Sequence, residues 1–119
     1  MENHKIKSVT IGIPITNLEE GINWYRKLFP NQKELIPMEG IWEISVTSSV
    51  WLQLFESDTK EISSRSINLE TNNIELSHDF IKSLNVKVGK IEEVPETVKY
   101  FEFTDPFGNN FSFVQVLNQ

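Results

Sequence analysis

Few side chains in this chain of 119 residues have the types that chemistry needs. There are two histidines, His4 and His78, and no cysteine. The absence of cysteine excludes disulfide frameworks, zinc fingers, iron–sulfur clusters and thiol catalysis. Neither histidine sits where a Ser–His–Asp arrangement could form: His4 is in the N-terminal tail, and His78 is on a helical stretch where it is expected to be exposed. The remaining candidates are carboxylates on strand-like segments, Glu43, Glu70 and Glu102. A pocket carboxylate can act as a general acid or base, and it can hold a cation. The same three residues also read as solvated acids on a strand face. A fourth carboxylate, Asp105, stands in the run Asp105-Pro106-Phe107-Gly108-Asn109. There Asp accepts backbone N–H bonds, Pro sets φ and Gly permits a positive φ, so a structural turn is expected.

These residues must be positioned by the elements around them. Val9, Ile11, Ile13 and Ile15 alternate with Ser8, Thr10, Gly12 and Pro14, which predicts a strand with one buried face. Pro14 cannot donate to a ladder, so this end of the strand belongs at an edge or bulge. A helix follows, with Asn17 as N-cap and Glu20 three residues on as the capping-box partner. Its apolar stripe is Leu18, Ile22, Tyr25 and Leu28/Phe29, and Phe29-Pro30-Asn31 ends it. Trp24 and Tyr25 are read as packing residues. Three strands are expected next, at about Lys33–Met38, Ile41–Thr47 and Val50–Phe55, as an antiparallel meander with turns at Gly40 and Ser48-Ser49. Residues 57–64 read as a polar linker.

The pattern then recurs. A shift of 56 positions places Ile11 on Ile67, Ile13 on Leu69, Asn17 on Asn73 and Leu18 on Ile74. The same shift places Glu19 on Glu75, Trp24 on Phe80, Arg26 on Lys82 and Leu28 on Leu84. This is an internal repeat. A second helix is predicted at about Asn73–Leu84, with Asn85 as a left-handed cap. Strands are predicted at about Val86–Val94, Val98–Thr104 and Phe111–Leu117, the last two at an offset of 59. Each half is therefore βαβββ, and one half alone buries too little surface to be stable. The expected class is α+β: two βαβββ repeats, at about 8–56 and 65–117, in a single domain spanning 1–119. They would form a curled, mostly antiparallel eight-stranded sheet, with two helices on the outer face and a concave trough on the inner one.

Composition narrows the partners. Seventeen acidic and eleven basic residues give a net charge of −6, with basic residues scattered, which argues against nucleic acid and mildly favours cationic partners. No apolar run approaches the length of a membrane span and no signal peptide is recognisable, so the expected compartment is the cytoplasm. Three Trp and eight Phe are many for so small a core, and some are expected to line a cavity.

Two segments carry a family resemblance. The run Phe103-Thr104-Asp105-Pro106-Phe107-Gly108-Asn109-Asn110-Phe111-Ser112-Phe113 resembles the Asp-Pro-x-Gly-Asn turn of the glyoxalase / bleomycin-resistance / extradiol-dioxygenase superfamily, the vicinal oxygen chelate fold. The passage from Ile15 to Leu28 is similar to that superfamily's first strand-to-helix passage. The likeness runs from about Ser8 to Val116. In metal-dependent members it implies ligands, usually His, Glu or Gln, in strands one, four, five and eight. Aligned by the motifs, those positions hold Thr10, Gln53, Ser66 and Ser112, of which only Gln53 is a plausible ligand. The expectation is therefore no metal and no cofactor.

The resemblance then points to a small-molecule-binding protein like the drug-sequestering, bleomycin-resistance branch. By strand parity with the four positions, its trough is lined by Thr10, Trp51, Gln53, Phe55, Ser66, Asn68, Glu70, Ser112 and Val114. Trp51 and Phe55 suit a flat ligand, while Glu70 and the net charge suit a cationic one. A homodimer is the expected assembly. Two alternatives stand beside this reading. One is a lyase, isomerase or dioxygenase-type enzyme using a pocket carboxylate or a misaligned metal site. The other is a protein-interaction module whose trough is filled by its own side chains.

Overall fold

Eight strands and two helices follow one another as βαβββ–βαβββ, an α+β fold. The computed structural model describes residues 4–58 and 66–118. The chain divides into two compact units, Met1–Lys60 and Glu61–Gln119, each built around one open four-stranded sheet. The eight strands are thus shared four and four. The expected linker at 57–64 lies mostly outside the described residues.

In the first unit the strands are β1 (Val9–Ile15), β2 (Glu34–Met38), β3 (Ile41–Thr47) and β4 (Val50–Glu56), in the order β1-β4-β3-β2. The meander β2-β3-β4 is antiparallel, and β1 joins β4 in parallel. Pro14 therefore lies on an edge strand, where its missing N–H costs no ladder bond. Helix α1 (Leu18–Leu28) opens at Asn17, whose Oδ1 accepts from Glu20 N at 2.9 Å. It buries Gly21, Trp24, Tyr25 and Leu28. The sheet's contribution to this core is Ile13, Ile15, Trp42, Ile44, Leu52 and Leu54, all of one parity. Full burial of each such side chain contributes roughly 1.5–3 kcal/mol.

The second unit repeats the plan with β5 (Ser66–Glu70), α2 (Ile74–Lys82), β6 (Glu92–Val94), β7 (Val98–Thr104) and β8 (Asn110–Val116), ordered β5-β8-β7-β6. The β5–β8 pair is parallel and the others are antiparallel. The repeat extends to the helix starts. Glu56 at the end of β4 accepts from Leu18 N at 2.9 Å, and Gln115 near the end of β8 accepts from Ile74 N at 2.8 Å. These two acceptors are 59 residues apart, the same offset that relates the strands carrying them.

Two expectations are corrected. The run Val86–Val94 forms a strand only over Glu92–Val94, with Val88 making a single bridge to Phe103. Gly89 explains the interruption. Its N–H donates to Glu102 O at 2.7 Å, but its carbonyl is taken by His78 Nε2 at 2.8 Å instead of by a strand. For the same reason His78 is half-buried, its ring set edge-on against Phe101 at 4.8 Å.

Gly21 marks the closest approach of α1 to its sheet. A Cβ there would meet Ile15 Cδ1 at 2.3 Å and Leu54 Cδ2 at 3.2 Å. Alanine suits a helix interior better than glycine by roughly 0.5–1 kcal/mol, but overpacking costs about 1–3 kcal/mol. Gly21→Ala is therefore expected to destabilise the protein by about 1 kcal/mol. In an Ile15→Val background, which lacks the obstructing Cδ1, the same substitution should become neutral or stabilising. Urea denaturation of the four proteins in this cycle measures the change of sign. Equal losses in both backgrounds would place the obstruction elsewhere.

Candidate functional site

A strand with one face under a helix leaves its other face open, and register decides which side chains share it. In the first unit Thr10 is paired with Trp51, Gly12 with Gln53 and Pro14 with Phe55. Across β4, Trp51 faces Ser45, Gln53 faces Glu43 and Phe55 faces Ile41. All these residues have the parity opposite to the buried core. The structure thus brings Thr10, Trp51, Gln53 and Phe55 onto one open face and adds Glu43 at its centre. Gln53 Nε2 donates to Glu43 Oε2 at 2.7 Å, and both residues are half-buried. Gly12 makes room for the neighbouring ring: a Cβ there would lie 3.3 Å from Phe55 Cε1.

In the second unit Ser66, Asn68 and Glu70 are paired with Asn110, Ser112 and Val114. Ser66, Asn68, Glu70, Ser112 and Val114 therefore share the open face of the second sheet. Ser112 is buried and its hydroxyl donates to Asn68 Oδ1. Glu70 is exposed at the end of β5, and no polar partner is found for its carboxylate among the described residues. Glu102 lies opposite Ser112 on β7 and is the repeat counterpart of Glu43, 59 residues on.

The residues at the four implied ligand positions do not fit a transition metal. Thr10, Ser66 and Ser112 offer neutral hydroxyls, and that of Ser112 is already bonded to Asn68. Gln53 offers only a neutral amide oxygen, its Nε2 being the atom that donates to Glu43. Such sites need imidazole, thiolate or carboxylate donors. Among the described residues, no three His, Cys, Asp or Glu come together as a metal-binding group.

Each unit also has an open cleft of about 440 Å³ beside its central strands. In the first, Gln32, Lys33, Ser45, Thr47, Ser48 and Trp51 contribute to the wall. In the second, Ser66, Lys87, Glu102, Thr104 and Asn110 do so. The clefts are products of the repeat. Asn31 and Asn85 turn the chain with φ of 62° and 60°, and the lysine two residues on then docks onto a strand. Lys33 O accepts from Ser45 N at 2.9 Å, and Lys87 O accepts from Thr104 N at 3.3 Å. Sequence reasoning passed over both lysines. The offset of 54 between Asn31-Gln32-Lys33 and Asn85-Val86-Lys87 is the signal that could have found them.

One perturbed ion pair lies off the open faces. Arg26 grips Glu34 through Nε at 2.9 Å and Nη2 at 2.7 Å, and Trp42 Nε1 donates to the same carboxylate at 3.1 Å. The hydrogen bonds from Arg26, with that of Trp42, hold the Glu34 carboxyl below its ordinary range. Glu34 is paired with Ile44, so this cluster belongs to the helix side of the sheet.

The Asp-Pro-x-Gly-Asn turn is structural, as expected. Asp105 is buried, its Oδ1 accepts from the N–H groups of Phe107 and Asn109 at 2.8 Å each, and Gly108 adopts φ of 92°.

With its two βαβββ units, the fold is that of the glyoxalase / bleomycin-resistance / dioxygenase proteins, the vicinal oxygen chelate fold. Among solved structures, the genomically encoded fosfomycin resistance protein FosX of Listeria monocytogenes, complexed with Mn(II) and sulfate, is similar with a TM-score of 0.74 at 15% identity, over 99% of this chain and 93% of that one. TnmS3, an antibiotic binding protein from Streptomyces sp. CB03234, has a TM-score of 0.74 at 17% identity, over 98% of each chain. A glyoxalase / bleomycin resistance protein from Catenulispora acidiphila DSM 44928 has a TM-score of 0.73 at 17% identity, over 92% of this chain and 97% of that one. No family model matches the sequence, and no curated protein matches it either.

Proposed function

We propose that this protein binds and sequesters a flat, cationic small molecule on the open faces of its sheets, without a metal. The observation that carries the reading is the first sheet's open face. A half-buried carboxylate, Glu43, is fixed by Gln53, and Trp51 and Phe55 stand on either side of Gln53 along β4. A carboxylate supplies the counter-charge for a cation. An aromatic face adds roughly 0.5–2 kcal/mol of cation–π attraction. On the second sheet, Asn68, Ser112 and the exposed Glu70 provide a polar, acidic face for the same class of ligand. The neutral donors at Thr10, Gln53, Ser66 and Ser112 favour binding over metal-assisted catalysis. The antibiotic-binding description of TnmS3, a protein of the same fold, is in keeping with this reading.

The reading also takes the protein to be a cytoplasmic homodimer. The structure's own contribution on location is narrower: among the described residues, no helix is long and apolar enough to cross a membrane.

Fluorescence tests the proposal directly. Trp24 and Trp42 are buried, at 8% and 2% exposure, whereas Trp51 is half-exposed on the open face. A panel of polycyclic aromatic cations is expected to include compounds that quench the emission saturably, and Trp51→Phe should abolish the effect. Elemental analysis of the purified protein, with melting curves in Ni, Zn, Mn and Fe, runs alongside. A stoichiometric metal, or a clear metal-dependent rise in Tm, overturns the metal-free reading.

A further inference from the structure

We infer that the ligand of the first sheet is a flat zwitterion, whose cationic group meets Glu43 and whose anionic group enters the cleft at Lys33. This deepens the reading under Proposed function and rests on it. The cleft beside Trp51 is rich in hydrogen-bond donors. Among the described residues, Lys33 is the one charged residue of its lining; it is exposed and its ammonium has no ion-pair partner among them. Gln32 has its Oε1 engaged by the Ser45 hydroxyl at 3.1 Å, which leaves its Nε2 available to donate. The Ser48 hydroxyl and the Trp51 indole N–H have no partner among the described residues. The Thr47 hydroxyl accepts from Ser49 N at 3.3 Å and keeps its own proton to give. Among the described residues, no carboxylate lines the cleft. Such a set has many donors and a positive charge, which is what an anion such as a carboxylate requires.

The protein's net charge of −6 repels anions at long range. An anion is therefore held only where local donors outweigh that field, and screening confines the contest to about 8 Å at physiological ionic strength. The strand position that anchors the Lys33 backbone lies within that distance of the cation site. Ser45, which holds Lys33 through two bonds, and Glu43 are alternate residues of β3 on the same face, about 7 Å apart along the strand. Trp51 is paired with Ser45 and Gln53 with Glu43, so an aromatic ring stands beside the strand position that anchors Lys33, one step along the face from Glu43. A planar molecule with one acidic and one basic end matches this row of residues. A planar cation alone leaves the Lys33 cleft unanswered.

The test uses three probes of one shape: benzylammonium, benzoate and para-(aminomethyl)benzoate. Titration calorimetry is expected to rank the zwitterion roughly tenfold or more tighter than either singly charged probe, since each charged hydrogen bond contributes about one power of ten. Lys33→Ala should weaken the zwitterion and benzoate by about tenfold and leave benzylammonium unchanged. Glu43→Gln, which retains an oxygen to accept from Gln53, should weaken the zwitterion and benzylammonium and leave benzoate unchanged. Melting curves confirm that both variants fold. Equal binding of the zwitterion and benzylammonium, or a zwitterion affinity indifferent to Lys33→Ala, overturns this inference and leaves the cation-binding reading standing. Failure of all three probes, together with no quenching of Trp51 by polycyclic cations, overturns both.

Discussion

Replacing Asp105 by alanine is expected to lower the stability of the protein by about 3–5 kcal/mol. Oδ1 of this buried carboxylate accepts from Phe107 N and Asn109 N, and Oδ2 accepts from Asn109 Nδ2 at 2.7 Å. Alanine strands three donors at once, and each buried donor left unmatched costs roughly 1–3 kcal/mol. Water at the turn can recover part of that for Phe107, but Asn109, like Asp105, is buried. Asn in place of Asp105 is the sharper experiment. Its carbonyl can still serve the two backbone N–H groups, while its amide then confronts Asn109 Nδ2, donor against donor. Adding Asn109→Asp restores an acceptor, so the exchanged pair should recover at least half of the stability lost by Asp105→Asn. Urea denaturation measures all four proteins. A loss below about 1 kcal/mol for Asp105→Ala would mean that the turn holds its shape without the carboxylate.

The second large effect is expected at Phe111→Ala, a loss of about 3–5 kcal/mol. Phe111 is fully buried and its ring stacks on Phe103 with centroids 5.3 Å apart. Phe103 in turn lies 6.2 Å from Phe101 and 5.8 Å from Phe113, so four rings on β7 and β8 form one cluster. The register makes this unavoidable, since Phe101 is opposite Phe113 and Phe103 is opposite Phe111. Truncation opens a cavity in the layer shared with α2 and removes a ring pairing that contributes roughly 0.5–1.5 kcal/mol of its own. Phe55→Ala is the matched control. Its ring leans over Gly12 on an open face, so it should cost about 1 kcal/mol and act on ligand binding instead. Thermal denaturation of the two variants distinguishes them, and similar losses would contradict this division of the aromatics.

Much of this arrangement is readable from residue order, because it depends on short-range rules. Alternation in Val9–Ile15 fixes which side of β1 is buried, and Asn17 and Asn73 mark helix starts that the structure places one residue later. The repeat supplies the βαβββ order of both units. Contacts distant in sequence are harder to read. The second acceptor at the start of α1 is Glu56, 38 residues away, not the Glu20 side chain that a local capping box suggests. The break at Gly89 depends on His78 reaching across from α2, which no window along the chain contains. Parity placed Thr10, Trp51, Gln53 and Phe55 on one face, yet it could not rank the carboxylates. Glu43 becomes prominent only when the register sets it against Gln53, while Glu70, favoured by parity, stands at a strand end.

The paired acceptors at the helix starts have a wider consequence. Glu56 and Gln115 occupy one station of the repeat, use the same Oε1 atom and differ by a full charge. The molecule has thereby tried a substitution on itself and kept both versions. The scaffold's requirement at that station is a carbonyl-type oxygen, and the charge is free to vary. The same internal comparison can be made elsewhere. Asn31 and Asn85 agree because the backbone leaves little choice, whereas Trp51 and Asn110, also counterparts, have parted company. At the Trp51 and Asn110 station the position is common while an aromatic ring stands against an amide, so the open faces of the two sheets differ in chemistry there.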